Sequence, residues 1–322
     1  MSPKVRPILI AGLPRSGTNW TLVALGRAPG CVGVLEPDNE DFGPSAAYAK
    51  RVLGRYPCLA PGEESSAYVQ LWEWALQGAH VSSRIRWATW FLGLGRTHRI
   101  HTAWLAANLA RNPHAHHGGG TDDPPKRVIA KSIHAQLSLE WLTDVFDIDV
   151  LVLLRHPANV LASWIELNLK DSRNSTLETR PEIRSRYLDP WGVPPPGPDP
   201  IEQMSWRIGL LTAVLEDAIS RHPEWHMRTH EGLCRDPTVE FHHLYDDLGL
   251  EWTKKTVDML RWRNRPGEGF KVNRVAEKVA NSWQSRLDDE QLETLRRVLG
   301  WFPISSWSDH DFERTNGANL PE

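Results

Sequence analysis

Residues 8–20 read ILIAGLPRSGTNW. Ile8, Leu9, Ile10 and Ala11 form a short apolar run with β-branched members, which predicts a buried strand closed by Gly12. Leu13-Pro14-Arg15-Ser16-Gly17-Thr18 has the composition of a tight loop. From Asn19 onward, Trp20, Leu22, Val23 and Leu25 recur at helical spacing until Arg27-Ala28-Pro29-Gly30 stops them. The stretch is therefore strand, glycine-bearing loop, helix. A helix N-terminus presents unpaired backbone N–H groups and a partial positive charge, and small loop residues let a phosphate approach them. Ser16 and Thr18 add hydroxyl donors, and Arg15 adds a planar donor fork of fixed charge. Residues 8–20 thus read as an anion-binding turn at the start of an α/β chain.

Composition sets the bounds around that turn. With 322 residues the chain could make two domains by length alone, and one large α/β domain over 1–322 is equally ordinary; 40% hydrophobic and 24% charged content suits a full core. The net charge of −3 gives no global reason to expect nucleic-acid binding, so an anion site must come from local charge. Cys31, Cys58 and Cys234 are far apart and odd in number, with neither metal spacing nor a disulfide framework, which favours a reducing compartment such as the cytoplasm. Residues 1–6 are short and polar before the first strand and do not read as a signal peptide. No apolar run approaches the roughly 20 residues that a membrane helix needs.

Further along, Cys31 to Leu35 reads as a second strand, followed by the acidic stretch Glu36-Pro37-Asp38-Asn39-Glu40-Asp41. Asp38, Glu40 and Asp41 suit a solvated loop, whereas Glu36 abuts the strand and is expected near the anion turn, because ligands of parallel sheets gather at strand carboxyl ends. A helical, tryptophan-rich insertion is expected at about 65–111, carrying Trp72, Trp74, Trp87, Trp90 and Trp104. Most tryptophans are expected in the core, with some lining a ligand pocket. His114, His116 and His117 sit in a Gly/Pro-rich loop with no helical face and no second ligand cluster, so a surface loop is preferred and no metal is expected. Arg127 to Ala130 restarts a strand that Lys131-Ser132-Ile133-His134 closes, and a helix carrying Leu137, Leu139, Trp141, Leu142 and Phe146 follows. Ile148 to Leu154 is apolar nearly throughout, as a strand buried on both faces should be. Pro157 fits the first turn of the helix after it. Residues 171–200 read as a long Pro-rich loop with little structure of its own, then a helix from Ile201 to Ser220, a strand from Trp225 to Thr229 and a helical remainder. Strands alternating with helices imply βαβ units and a parallel sheet flanked by helices.

The first turn resembles a nucleotide-binding P-loop with informative departures. Gly12 and Gly17 keep the spacing, but Thr18 follows Gly17 directly where a Lys should stand, and the cation sits earlier, at Arg15. The form P-R-S-G-T resembles instead the 5′-phosphosulfate loop of sulfotransferases that use 3′-phosphoadenosine-5′-phosphosulfate (PAPS). Arg155 after an apolar strand, with Ser163 eight residues on in the next helix, resembles that family's 3′-phosphate motif. RTHEGLCRDP, DLGLEW and the Trp283 to Leu287 run resemble its later strand and turn, a following helix and its terminal W-x-x-x-L segment. These marks keep the family's order from residue 10 to about residue 300.

The resemblance implies a three-layer, P-loop-like α/β fold and a donor site in which Arg15, Ser16, Gly17, Thr18, Asn19 and Trp20 cradle the 5′-phosphosulfate. It places Arg155 and Ser163 at the 3′-phosphate, with Trp283 nearby. The family's R-K-G is replaced by AEKVANSW, where Lys278 is the substitute contact. PAPS would be donor and 3′,5′-adenosine bisphosphate (PAP) product, with no metal. The acceptor would be a hydroxyl, with an amine as the lesser alternative, of a small molecule, sugar or lipid, and a homodimer is left open. The chemistry requires a base for the acceptor hydroxyl, an in-line sulfuryl group and fixed donors for charge growing on the bridging oxygen. Arg15 and the loop amides suit the last role, and Lys131 occupies the place where the family has a Lys that follows the sulfuryl group. For the base, Glu36 after the second strand matches one branch of the family. His134 is one place beyond the cytosolic branch's His, and one step along a strand reverses the side chain's face, so Glu36 is preferred. Two other readings stay open: a P-loop kinase, which lacks its Lys here, and a non-catalytic nucleotide-binding protein of the same fold.

Overall fold

The protein's structure, a computed structural model, describes residues 5–78, 127–169, 177–265 and 276–314. Among the described residues, five strands form one all-parallel sheet: β1 (Ile8–Gly12), β2 (Cys31–Leu35), β3 (Arg127–Ser132), β4 (Asp149–Leu154) and β5 (His226–Thr229). Their spatial order is β2-β3-β1-β4-β5. The chain reverses its direction of winding beside β1, and at such a switch point the strand carboxyl ends open a crevice. The 13–17 loop follows β1 directly into it.

Period-two side-chain alternation sends each strand's residues to two separate cores. Leu9, Ala11, Val150, Val152 and Leu154 enter one, and Ile8, Ile10, Ile129, Leu151 and Leu153 enter the other, all essentially sealed from solvent. The first core packs under α2 (Pro44–Leu53), α3 (Ser66–Leu76), α4 (Leu139–Val145), α5 (Pro157–Glu166) and α6 (Pro200–Arg221). The second packs under α1 (Thr18–Leu25), α7 (His230–Arg235), α8 (Pro237–Asp247) and α9 (Lys254–Arg263). Each fully buried Leu, Ile or Val contributes roughly 1.5–3 kcal/mol. A one-residue slip in any central strand would exchange the two cores, so the register that aligns the strand ends is strongly specified.

The short elements α10 (Ala276–Ala280) and α11 (Asp289–Leu299) complete the helices used below. Asp288 caps α11 by accepting from the Gln291 N–H at 2.8 Å, and Gln291 reciprocates to the Asp288 N–H at 3.1 Å.

The expected strands and the long helix at 201–220 lie where the sequence places them, within a residue or two at each end. The loop expected over 171–200 differs. Among its described residues (177–200), Leu177–Thr179, Pro181–Ile183, Arg184–Leu188 and Asp189–Trp191 are successive helical turns, and 193–199 are irregular. Leu177, Ile183, Tyr187 and Leu188 are buried, and the Arg180 guanidinium donates to the Tyr56 and Leu53 carbonyls at 2.7 and 3.0 Å. The turns gain their stability from tertiary anchoring, which overrides the local proline content. Of the tryptophan-rich stretch, Trp72 and Trp74 lie on α3, while Trp87, Trp90 and Trp104, like the histidine loop before residue 127, lie outside the described residues. Trp72, Trp141, Trp206 and Trp283 are core residues. Among the described residues, no helix is long and apolar enough to cross a membrane.

Candidate active site

The loop after β1 is shaped by where its carbonyl groups go. The Gly12 carbonyl accepts from Gln136 Nε2 at 2.7 Å and the Pro14 carbonyl from Trp164 Nε1 at 3.0 Å. The Leu13 carbonyl accepts from the Ser16 hydroxyl and N–H at 2.8 and 3.1 Å. The Arg15 carbonyl accepts from Arg155 Nη1 at 2.5 Å and the Gly17 carbonyl from the Thr21 N–H at 3.1 Å. Every carbonyl from Gly12 to Arg15, and that of Gly17, is thus engaged on the protein side. Gly17 caps α1 from the left-handed region, at φ 89°, and no side chain caps the helix. Its first-turn N–H groups therefore keep their capacity for an external acceptor. A side chain at Gly17 would be strained by that φ and would also meet the His230 ring. Arg15 and Asn19 are exposed at the rim, Trp20 is half-buried, and Thr18 is buried beneath. Both Ser16 donors are spent inside the turn, so Ser16 holds the loop's shape.

Two arginines meet over this turn. Arg15 Nε donates to Ser163 Oγ at 3.0 Å, while Arg155 holds the Arg15 carbonyl. Sequence positions 15, 155 and 163, each singled out from its motif, converge at one place. Arg155 is buried, its Nε has no hydrogen-bond partner, and burial lowers its pKa to about 10. Glu231 Oε1 lies 3.9 Å from that Nε, and burial pushes the Glu231 carboxyl up. Glu231 belongs to the RTHEGLCRDP stretch, whose resemblance gives it no role in the site. It faces Arg155 because Thr229 caps α7 at the end of β5, accepting from the Gly232 N–H at 3.0 Å.

Asn159 binds this corner to the C-terminal segment. Its amide donates to Glu231 Oε1 at 3.0 Å and the Ala280 carbonyl at 2.5 Å, and its oxygen accepts from the Trp283 N–H at 3.1 Å and the Ser282 hydroxyl at 3.2 Å. All four hydrogen-bonding positions of the amide are used. Trp283 lies 1% exposed beneath the site and stacks on His156, with ring centroids 5.4 Å apart. Lys278 lies on α10, and its side chain is outside the described set.

His156 is neutral here. Its Nδ1 accepts from the Ala158 N–H at 3.2 Å, its Nε2 donates to the Asp311 carbonyl at 2.9 Å, and burial pushes its pKa down to about 4. In the unfolded chain it titrates near 6.5, so the unfolded state binds the extra proton between those values. Its contribution to stability is fully present above about pH 6.5 and is lost as pH falls toward 4, by about 3 kcal/mol at the lower end. Urea unfolding at pH 7.5 and 4.5 should show this loss, and His156→Gln should lose less between the same two pH values.

A second cluster lies at the ends of β2 and β3. The ladder between them runs one bond further, from the Glu36 N–H to the Lys131 carbonyl at 2.8 Å. Glu36 then turns at φ 44°, a conformation a non-glycine residue adopts at a cost of order 1–3 kcal/mol. The turn brings its carboxylate onto Lys131 Nζ in a buried ion pair. Asn39 Nδ2 donates to the other carboxylate oxygen at 2.5 Å.

His134, the alternative base, has different surroundings. It is fully buried, its Nε2 accepts from Arg55 Nε at 3.0 Å, and Tyr56 packs edge-on at 5.2 Å.

Of the acidic residues expected in a solvated loop, Glu40 and Asp41 are half-buried and Asp38 departs from the expectation. Asp38 is fully buried, accepting from Ser132 Oγ at 2.8 Å and from the Tyr68 hydroxyl at 3.3 Å, with Lys50 Nζ 3.6 Å away. Charge-rich composition concealed this, because a buried carboxylate is legible only from its partners, which lie 12 to nearly 100 residues away in sequence.

Comparison with known proteins adds shape alone. No family model matches the chain, and no curated protein sequence matches it. Among solved structures, a sulfotransferase domain from the curacin biosynthetic pathway is 12% identical, with a TM-score of 0.47 over 91% of this chain and 97% of its own. A sulfotransferase domain of the Synechococcus olefin synthase is 15% identical, with a TM-score of 0.43 over 90% and 93%. A mouse sulfotransferase complexed with PAP is 10% identical, with a TM-score of 0.41 over 94% and 86%. The chemistry of the present chain rests on its own side chains.

Proposed function

We propose that the protein is a PAPS-dependent sulfotransferase that moves a sulfuryl group to a hydroxyl of a small-molecule, carbohydrate or lipid acceptor and releases PAP. The observation that carries this reading is the convergence of Arg15, Ser163 and Arg155 over a turn whose carbonyls from Gly12 to Arg15 are engaged and whose helix has no side-chain cap. That arrangement suits two separate anionic groups, one at the helix N-terminus and one beside Arg155. A kinase of the P-loop type would need a Lys after Gly17, where Thr18 stands.

In this reading the first-turn amides of α1 and Arg15 meet the 5′-phosphosulfate, and Arg155 with Ser163 meets the 3′-phosphate. Glu36 accepts the proton of the attacking hydroxyl, since its paired carboxylate retains lone pairs beyond those given to Lys131 and Asn39. Lys131 moves from Glu36 toward the bridging oxygen as charge grows there. Its positive charge is worth most in a site closed to water.

The test is retention on immobilised PAP. Elution by free PAP, with no elution by ATP and Mg²⁺, supports the reading; the reverse pattern supports a nucleotide triphosphate enzyme. Radiolabelled PAPS offered with sugars, phenols and glycolipids then identifies the acceptor, and binding without turnover over a broad acceptor set would point to a non-catalytic relative.

Arg155→Ala should weaken PAP far more than its 3′-dephosphorylated analogue. The lost charge-assisted contact is commonly worth about 1.5–3 kcal/mol. Calorimetry with both ligands decides it, and equal losses would remove Arg155 from the 3′ site.

A further inference from the structure

The His230 ring sits against the anion turn itself. A Cβ built on Gly17 would lie 2.2 Å from His230 Cδ2 and 3.1 Å from Nε2, so the Cδ2–Nε2 edge of the ring covers the glycine that caps α1. The ring is buried. Around it stand Arg15 and Arg155 from the turn and the end of β4, Trp20 edge-on from α1 at 6.0 Å, and Cys234 from its own helix, whose sulfur lies 3.7 and 3.8 Å from the two ring nitrogens. Glu231, next in the chain, turns its carboxylate to Asn159 and the His156 N–H. No oxygen atom among the described residues bonds either nitrogen of His230. Burial and both arginine charges hold the imidazole neutral, far below its ordinary pKa. Cys234 remains a thiol, pushed up to about 12 by burial.

We propose that His230 is part of the anion site and takes up a proton when a multiply charged phosphate or sulfate ester enters the turn. This rests on the reading of the turn as a phosphate site. The physical reason is a reversal of field. Without a ligand the ring faces two cations, which disfavours its charged form. An anion lying on the α1 N-terminus and Arg15 cancels that repulsion and offers the Nε2–H an acceptor on the Gly17 side. The proton comes from solvent, and binding is linked to pH with the sign of proton uptake. Affinity therefore rises as pH falls across the range between the free and bound pKa values, by up to about tenfold per pH unit.

The test is calorimetry of PAP binding from pH 5.5 to 8 in two buffers of different ionisation enthalpy, for the parent and His230→Gln. The parent should take up more protons per PAP than the variant, by up to about one, and its affinity should rise more steeply toward acid. Equal proton counts in the two proteins would overturn the proposal, because PAP's own phosphates, Glu231 and other groups contribute alike to both. If the variant does not fold, histidine C2–H resonances of the parent decide it. One resonance should titrate between pH 5.5 and 8 only with PAP bound, and the absence of any ligand-dependent histidine titration overturns the proposal. A protein that ignores PAP yet gives the same response with inorganic sulfate retains the anion site and loses the nucleotide reading. Silence toward both ends the two together.

Discussion

Glu36→Gln is expected to keep PAP binding within a few-fold and to lower the single-turnover rate at saturating PAPS by about 10²–10⁴. The amide preserves the shape of the carboxylate but cannot take a proton. Its oxygen can still accept from Lys131, while its NH₂ then faces Asn39 Nδ2, which now donates to Glu36 Oε2. Asn39 cannot simply turn over, since its Oδ1 accepts from the Asp41 N–H at 3.0 Å. One donor is therefore left against another, at a cost of about 1–3 kcal/mol of stability. A melting curve separates that cost from the kinetic one. His134→Ala should be the milder change at the chemical step, because His134 is enclosed by Arg55 and Tyr56. If Glu36→Gln turns over near the parent rate while His134→Ala is dead, the base is His134.

The parts of the site that were legible in the sequence are those written in local code. A strand, a glycine pair and a helix at residues 8–25 are legible because spacing alone brings the first-turn backbone amides of the helix to the end of the strand, an arrangement that reads as an anion turn. Arg155 was legible because it ends the most apolar run in the chain, and strand ends share one edge of a parallel sheet. What could not be read is what depends on contact across the sheet. His230 lies two strands and more than 200 residues from Gly17, and only packing shows that its ring closes over the turn. Glu231 and Asn159 look like ordinary polar residues until their shared hydrogen bonds are seen. The helical turns at 177–191 were hidden by prolines, whose first-turn positions at Pro181 and Pro190 are compatible with helix. The acidic run after β2 misled for a related reason: composition predicts hydration of a charged loop, and nothing local reveals that Lys50, Tyr68 and Ser132 enclose Asp38.

Asp38→Ala is expected to destabilise the fold by about 3–5 kcal/mol, the usual cost of removing one member of a buried charge pair. Lys50 is the member left behind. It is buried, with its ammonium donating to the Arg55 carbonyl at 2.5 Å, and burial already lowers its pKa to about 8 even with Asp38 present. Because the folded value lies below the unfolded value near 10.4, the unfolded chain binds more protons between the two, and stability rises with pH across that window. Without Asp38 the folded value falls further, so the rise must begin at a lower pH and span a wider range. Urea midpoints of the variant should therefore climb with pH from about 7 upward, where the parent is still flat. Ser132 also loses the acceptor of its hydroxyl while still receiving the His134 and Ala135 N–H groups at 3.0 Å, which loosens the chain directly after Lys131. Adding Lys50→Met to Asp38→Ala should restore part of the lost stability by removing the stranded charge, an interaction a double-mutant cycle measures. If the single variant melts with the parent at every pH, Asp38 and Lys50 are not the coupled pair that their positions make them.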